Sequence, residues 1–185
     1  MTIKESNINS AIDEHFPLES YRPHQKETIC KIIKAFLAGK KNVIVESPTG
    51  SGKSVIAMTV AKLMGSAYYL TIQKTLQTTL ENDFSDWAAS LKGRNAYPCW
   101  MIREKLKMDS YATADKGMCV RMNKSKLGLC SGQCEYFEAI EKAEQYSISI
   151  FNFSSFLYQR TMTDRFQDQR ELIITDEAHN NESLT

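Results

Sequence analysis

Residues 47–54 read SPTGSGKS and lie between the apolar run NVIVE (42–46) and the run VIAMTVAKLM (55–64). No other stretch constrains the fold as much. Two glycines and a proline in eight residues suit neither helix nor strand, so this backbone is a loop. The β-branched run before it reads as a buried strand, and the apolar spacing after it reads as a helix. Strand, glycine-rich loop, helix is the order that cradles phosphate. Gly50 and Gly52 let successive N–H groups turn inward, and the helix starting near Lys53 adds the positive end of its dipole. Lys53 reaches the β- and γ-phosphates, and the Ser54 hydroxyl ligates Mg²⁺. The expected nucleotide-binding segment is Ser47, Pro48, Thr49, Gly50, Ser51, Gly52, Lys53 and Ser54, with Ser47 where the strict pattern has glycine.

The partner of such a loop is an acid at the end of a strand. ELIITDEAHN (171–180) supplies one. Asp176 is expected to bind the magnesium through water, and Glu177 to orient and deprotonate the attacking water. Between the two motifs the pattern alternates. RPHQKETICKIIKAFLAGK has Ile29, Ile32, Ile33, Phe36 and Leu37 at helical spacing, with Gly39 placed to end the helix. AYYLTI (67–72) reads as a strand, QKTLQTTLENDFSDW and CEYFEAIEKAEQY as helices, SISIF (147–151) as a strand, and NFSSFLYQR as a helix. ELIIT (171–175) reads as a last buried strand. Short strand–helix–strand connections imply parallel pairing.

Residues 92–134 break this rhythm with glycines, cysteines and charge. Between Lys92 and Lys126 nine basic residues face three acids, a local net charge of +6 in a chain whose total is +1. The rest is therefore mildly acidic, and the basic module points to a polyanion. The 185 residues suffice for one core, no apolar run approaches the roughly 20 residues of a membrane span, and the polar start MTIKESNINS is no signal peptide. Five cysteines without an export signal indicate a reducing, cytoplasmic setting.

Four of those cysteines, Cys99, Cys119, Cys130 and Cys134, lie in or beside the basic segment with spacings C-x19-C-x10-C-x3-C. Four thiolates suit a [4Fe–4S] cluster or zinc, and spacing alone leaves both open, with four free thiols as the third reading. Cys30 shares the apolar face of Ile29 and Ile33 and is expected to be a buried core thiol.

SPTGSGKS followed by DEAH resembles the superfamily 2 helicases and translocases. YRPHQKE is similar to their adenine-reading motif, which implies that Gln25 bonds the adenine edge and Arg22 supports the nucleotide. Tyr21 and Phe16 are candidates to stack on the base. YLTIQKTLQTTL resembles the next motif of that superfamily, implying that Thr71 and Thr75 grip single-strand phosphates. LKGRNAYPC resembles the opening of the iron–sulfur domain in XPD/DinG DNA helicases, and SIFNFSSFLY and DEAHN continue the likeness from about Tyr21 onward. This resemblance implies catalytic roles for Lys53, Asp176, Glu177 and His179, and a [4Fe–4S] cluster on the four cysteines, with zinc as the alternative. It also implies ATP and Mg²⁺ as cofactors, 5′→3′ movement on single-stranded or forked DNA, and no membrane partner.

The expected architecture is α/β: a RecA-like P-loop parallel sheet with helices on both faces, interrupted by a small irregular, partly helical four-cysteine insert. Residues 1–91 and 146–185 would form the motor domain and 92–145 the insert. The sequence stops six residues after His179, so a second motor domain is expected to follow. Rival readings are a zinc-containing RNA helicase or duplex translocase, and a non-catalytic module that binds nucleotide or nucleic acid.

Overall fold

The computed structural model describes residues 4–121, 130, 132–163 and 165–176. The chain divides into two compact units, Met1–Ala67 and Tyr68–Thr185. In the first, α1 (Ile8–His15), α2 (Gln25–Leu37) and α3 (Lys53–Met64) pack against one another. Helix α2 buries Ile29, Ile32 and Ile33, as its spacing requires, while Leu37 at its end stays exposed. Gly39 follows at φ +80°, and its N–H donates to the Phe36 carbonyl at 2.9 Å. That left-handed turn stops the helix.

Three expectations change in this unit. Helix α1 was hidden in the polar start: Ile8, Ala11 and Ile12 are buried among exposed Asn, Ser, Asp and Glu. Cys30 is half-buried rather than buried, because it lies beside the Ile29–Ile33 stripe instead of within it. Residues 42–46 form no strand, and Ile44 is 96% exposed. β-Propensity is the fit of a side chain to a neighbouring strand, and these residues have no ladder partner.

The second unit holds a four-stranded parallel sheet in the order β2-β3-β1-β4. Its strands are β1 (Ala67–Thr71), β2 (Ala88–Leu91), β3 (Ile148–Asn152) and β4 (Leu172–Thr175). Ala88 pairs with Ile148, and the register runs on to Leu91 with Phe151. Every residue of β1 and β2, and all of β3 but Asn152, is buried. Both parities are covered, so both faces of these strands are packed. Helices α4 (Lys74–Asp83) and α6 (Glu135–Gln145) lie against β2 and β3, and α7 (Phe153–Met162) against β3. A single turn, α5 (Met118–Arg121), belongs to the cysteine-bearing segment.

Strand β4 is not the buried strand that ELIIT suggests. Its burial alternates, and Ile173 is 55% exposed. It lies at the end of the sheet order and pairs on one side only. Strand β2 escaped the sequence pattern because AASL has neither β-branched nor aromatic residues. Its four residues are nonetheless all buried. Among the described residues no helix is long and apolar enough to cross a membrane.

Candidate nucleotide-binding loop and thiol centre

The phosphate loop stands at the start of α3. Gly50 and Gly52 both have φ +82°, and Gly52 is the left-handed residue that caps the helix. A Cβ on Gly52 would meet the Gln25 Nε2 atom at 2.2 Å and displace that amide, and the positive φ itself favours glycine. Gln25 is 1% exposed. Its Nε2 donates to the Ser51 carbonyl at 3.2 Å, and its Oε1 accepts from the Arg22 N–H at 2.8 Å. Arg22 Nη1 donates to the Gly50 carbonyl. The two residues expected to touch the nucleotide are thus engaged with the loop's own backbone.

Within the loop, the Ser47 hydroxyl donates to Ser51 Oγ at 2.6 Å, and Lys53 Nζ donates to the Ser47 carbonyl at 3.2 Å. Lys53 therefore folds back over the loop it is expected to complete, and Ser54 is half-buried in the first turn of α3. Nearby, Phe16 and Tyr21 stack at 4.0 Å between ring centroids. The Tyr21 hydroxyl donates to Asp13 at 2.8 Å, and burial with that carboxylate raises its pKa.

In the second unit, Asp176 directly follows β4, and its N–H donates to the Leu70 carbonyl at 3.0 Å. It therefore stands at the carboxyl end of the sheet, where α/β folds bind ligands. Two side-chain amides that sequence reasoning missed tie the neighbouring strand ends. Gln77 Nε2 donates to the carbonyls of Leu91 and Ile150 at 3.0 and 3.3 Å. Asn152 Nδ2 donates to the Ile72 carbonyl at 3.4 Å, while its Oδ1 caps α7 through the Ser154 N–H at 3.1 Å. A glutamine beside the Leu76–Leu80 stripe of α4 was the available signal for the first. Thr71 is 1% exposed and its hydroxyl accepts from the Gln73 N–H, so burial keeps it from a strand's phosphates. Thr75 is exposed. Glu177 and His179 lie outside the described residues.

The thiols form the other candidate centre. Cys99, Cys130 and Cys134 are buried and Cys119 half-buried. Burial pushes the Cys130 thiol up to about 11, and the nearby Cys134, Cys119 and Cys99 add to the rise. The Sγ atoms of Cys119 and Cys99 lie 3.2 and 3.4 Å from where a Cβ on Gly117 would stand. Arg94 lies with its guanidinium 4.5 Å from the Tyr136 ring centroid and its Nη1 3.6 Å from Cys119 Sγ. Its Nε is buried and has no hydrogen-bond partner among the described residues. Among the described residues no three His, Cys, Asp or Glu side chains stand at metal-ligand spacing. Cys130 lies near enough to Cys134, Cys119 and Cys99 for the charge of each to bear on it.

Much of the basic charge is occupied. Lys92 pairs with Glu81 at 2.7 Å, Arg103 Nε donates to the Ala112 carbonyl at 2.6 Å, and Lys116 lies 3.9 Å from Asp109. Lys105 and Lys107 are exposed; Lys124 and Lys126 lie outside the described residues.

No curated protein matches the chain. The family model described as type III restriction enzyme, res subunit (ResIII), matches residues 19–184 and so covers the phosphate loop, the thiol segment and Asp176. The chain belongs to the ResIII family, helicase-type motors of superfamily 2 that act on nucleic acid with ATP and Mg²⁺.

Proposed function

We propose that the protein is an ATP-dependent DNA helicase that moves 5′→3′ along single-stranded DNA and parts forked duplexes. In this reading residues 92–145 form a four-cysteine insert in a motor domain made by 1–91 and 146–185. The observation that carries the reading is the loop ahead of α3, with two glycines at φ +82° and Lys53 within reach of its mouth. Loop N–H groups and the α3 dipole would bind the triphosphate, and Lys53 would leave the Ser47 carbonyl for the β- and γ-oxygens. By motif, Ser54 and Asp176 would hold Mg²⁺, which neutralises charge on the transferring phosphoryl. Glu177 would take the proton of the attacking water, and His179 would serve the same site.

Cys99, Cys119, Cys130 and Cys134 would hold a [4Fe–4S] cluster, which supplies a rigid covalent crosslink between distant parts of the segment. The Arg94 guanidinium beside Cys119 would offset the negative charge of the thiolates.

The reading is tested in two steps. Anaerobically purified protein should be brown with about four irons per chain; a colourless, zinc-bearing sample would replace the cluster by zinc. Lys53→Ala should weaken Mg²⁺–ATP binding by roughly 10- to 150-fold, the worth of a charged hydrogen bond, with an unchanged circular dichroism spectrum. Glu177→Gln should retain that binding and stop hydrolysis. Loss of binding in Glu177→Gln would move its role from base to metal ligand.

A further inference from the structure

The segment between Cys99 and Ala112 makes a closed loop with an unusual tip. Its base is fastened three times: the Cys99 N–H donates to the Ala112 carbonyl at 2.9 Å, Arg103 Nε donates to the same oxygen, and Pro98 forms an antiparallel bridge with Thr113. Above the base, Met101–Lys105 is a turn of π-helix, and Leu106 donates to the Met101 carbonyl at 2.9 Å. Lys107 then adopts φ +51°, and Met108 donates to the Ile102 carbonyl at 3.1 Å. The Asp109 carboxylate accepts from the Tyr111 N–H at 2.9 Å. The tip's backbone is bonded down.

Its large apolar side chains stand out from it. Tyr111 is 84% exposed, Met108 76% and Leu106 45%, interleaved with exposed Lys105 and Lys107. A soluble surface gains nothing by holding three large apolar groups out on a braced loop. Alternating cations and flat or polarizable apolar groups on a rigid support are what single-stranded nucleic acid needs. Phosphates meet the lysines, and each base offers a face for stacking. Asp109, the acid at the tip, is partly neutralised by the Tyr111 N–H and by Lys116.

We propose that this tip, residues 105–111, is a stacking site for single-stranded nucleic acid. Tyr111 packs against a base, Met108 against its neighbour, and Lys105 and Lys107 against the intervening phosphates. The base of the loop includes Cys99, so a group bound by that thiol would brace the tip. The inference rests on the nucleic-acid motor reading and adds the chemistry of one contact to it.

The probe is a fluorescein-labelled oligothymidylate of roughly 16 nucleotides, about the largest single-groove site, titrated by anisotropy against the metal-loaded full chain. Tyr111→Ala should weaken binding roughly 5- to 150-fold, the range for loss of one stacked base. Tyr111→Trp should restore it, and ATP binding should not change. An abasic strand of equal charge should bind the wild type as weakly as thymidylate binds Tyr111→Ala. If wild type and Tyr111→Ala bind thymidylate equally, or wild type does not distinguish the abasic strand, the stacking site is wrong while the motor reading stands. If the wild type binds ATP but no oligonucleotide, the tip serves a protein and the inference falls. Failure to bind either ligand would overturn the motor reading itself.

Discussion

The phosphate loop and the thiol-bearing loop are both irregular backbone, yet they are held in different ways. The first takes its shape from two glycines at φ +82° and from two side chains, Gln25 and Arg22, that arrive from just before or at the start of α2. Each of these contacts is local or spans fewer than 30 residues. The second is drawn from distant parts of the chain: Arg94 stacks on Tyr136, and Cys99 lies in one buried cluster with Cys130 and Cys134. A loop built by conformational preference is formed before its ligand arrives. One built by converging thiols would, on the proposed cluster, have its order completed by what the thiols bind.

The largest effect should therefore come from the thiols. On the proposed cluster, Cys134→Ser or Cys99→Ser would remove one of four ligands, and binding energy at structural metal centres is about 10 kcal/mol or more, most of it spent on folding. Trypsin should then cut quickly at Arg103, Lys105 and Lys107, and the visible absorption should be lost. ATP affinity should stay at the wild-type value, because the hydrogen bonds that brace the phosphate loop come from Gln25 and Arg22. A variant that resists trypsin as the wild type does would erase the distinction between the two loops.

Next in size is Gln25→Ala. The resemblance to the adenine-reading motif gives Gln25 to the base, whereas its buried amide is bonded to Arg22 and Ser51. Alanine would leave the Arg22 N–H and the Ser51 carbonyl without their partner, at a cost of about 1–3 kcal/mol. ATP and GTP affinity should fall together in calorimetric titrations, since the defect lies in the phosphate cradle. A loss confined to ATP would show that the amide turns from the loop to the adenine when nucleotide binds.

The same contrast explains what could be read from sequence. Helices α2 and α3 were legible because a stripe such as Ile29, Ile32, Ile33 carries its own period. Gly39, Gly50 and Gly52 were legible because positive φ is a property of one residue. Strand 42–46 was misread, and β2 missed, for one reason with opposite signs. Val and Ile without a ladder partner stay exposed, while Ala and Ser between β3 and α6 are buried. Four cysteines could be counted, but their meeting place depends on Gly117, Arg94 and Tyr136, none of which is marked by spacing. Gln77 and Asn152 bind strand ends together only once the sheet order is known.

The smallest effect tests the phosphate loop from inside. Ser47 stands where the strict pattern has glycine, and its hydroxyl donates to Ser51 Oγ at 2.6 Å while its carbonyl accepts from Lys53. Ser47→Gly removes one neutral hydrogen bond, worth about 0.5–1.5 kcal/mol. It also frees the backbone of the unbound loop, which costs a further 0.5–1 kcal/mol or so when the loop is ordered. Lys53 keeps its charge and its reach, so no phosphate contact is lost. ATP affinity should therefore drop by roughly 5- to 70-fold, the sum of the two terms, with part of the loss appearing in the binding entropy measured by calorimetry. Unchanged affinity would mean that the Ser47–Ser51 bond is broken when the phosphates enter. Tighter binding would mean that the bond holds the free loop shut, and that glycine opens it. Either outcome would show that this loop is not preformed in its binding shape, and would bring it closer in kind to the thiol loop.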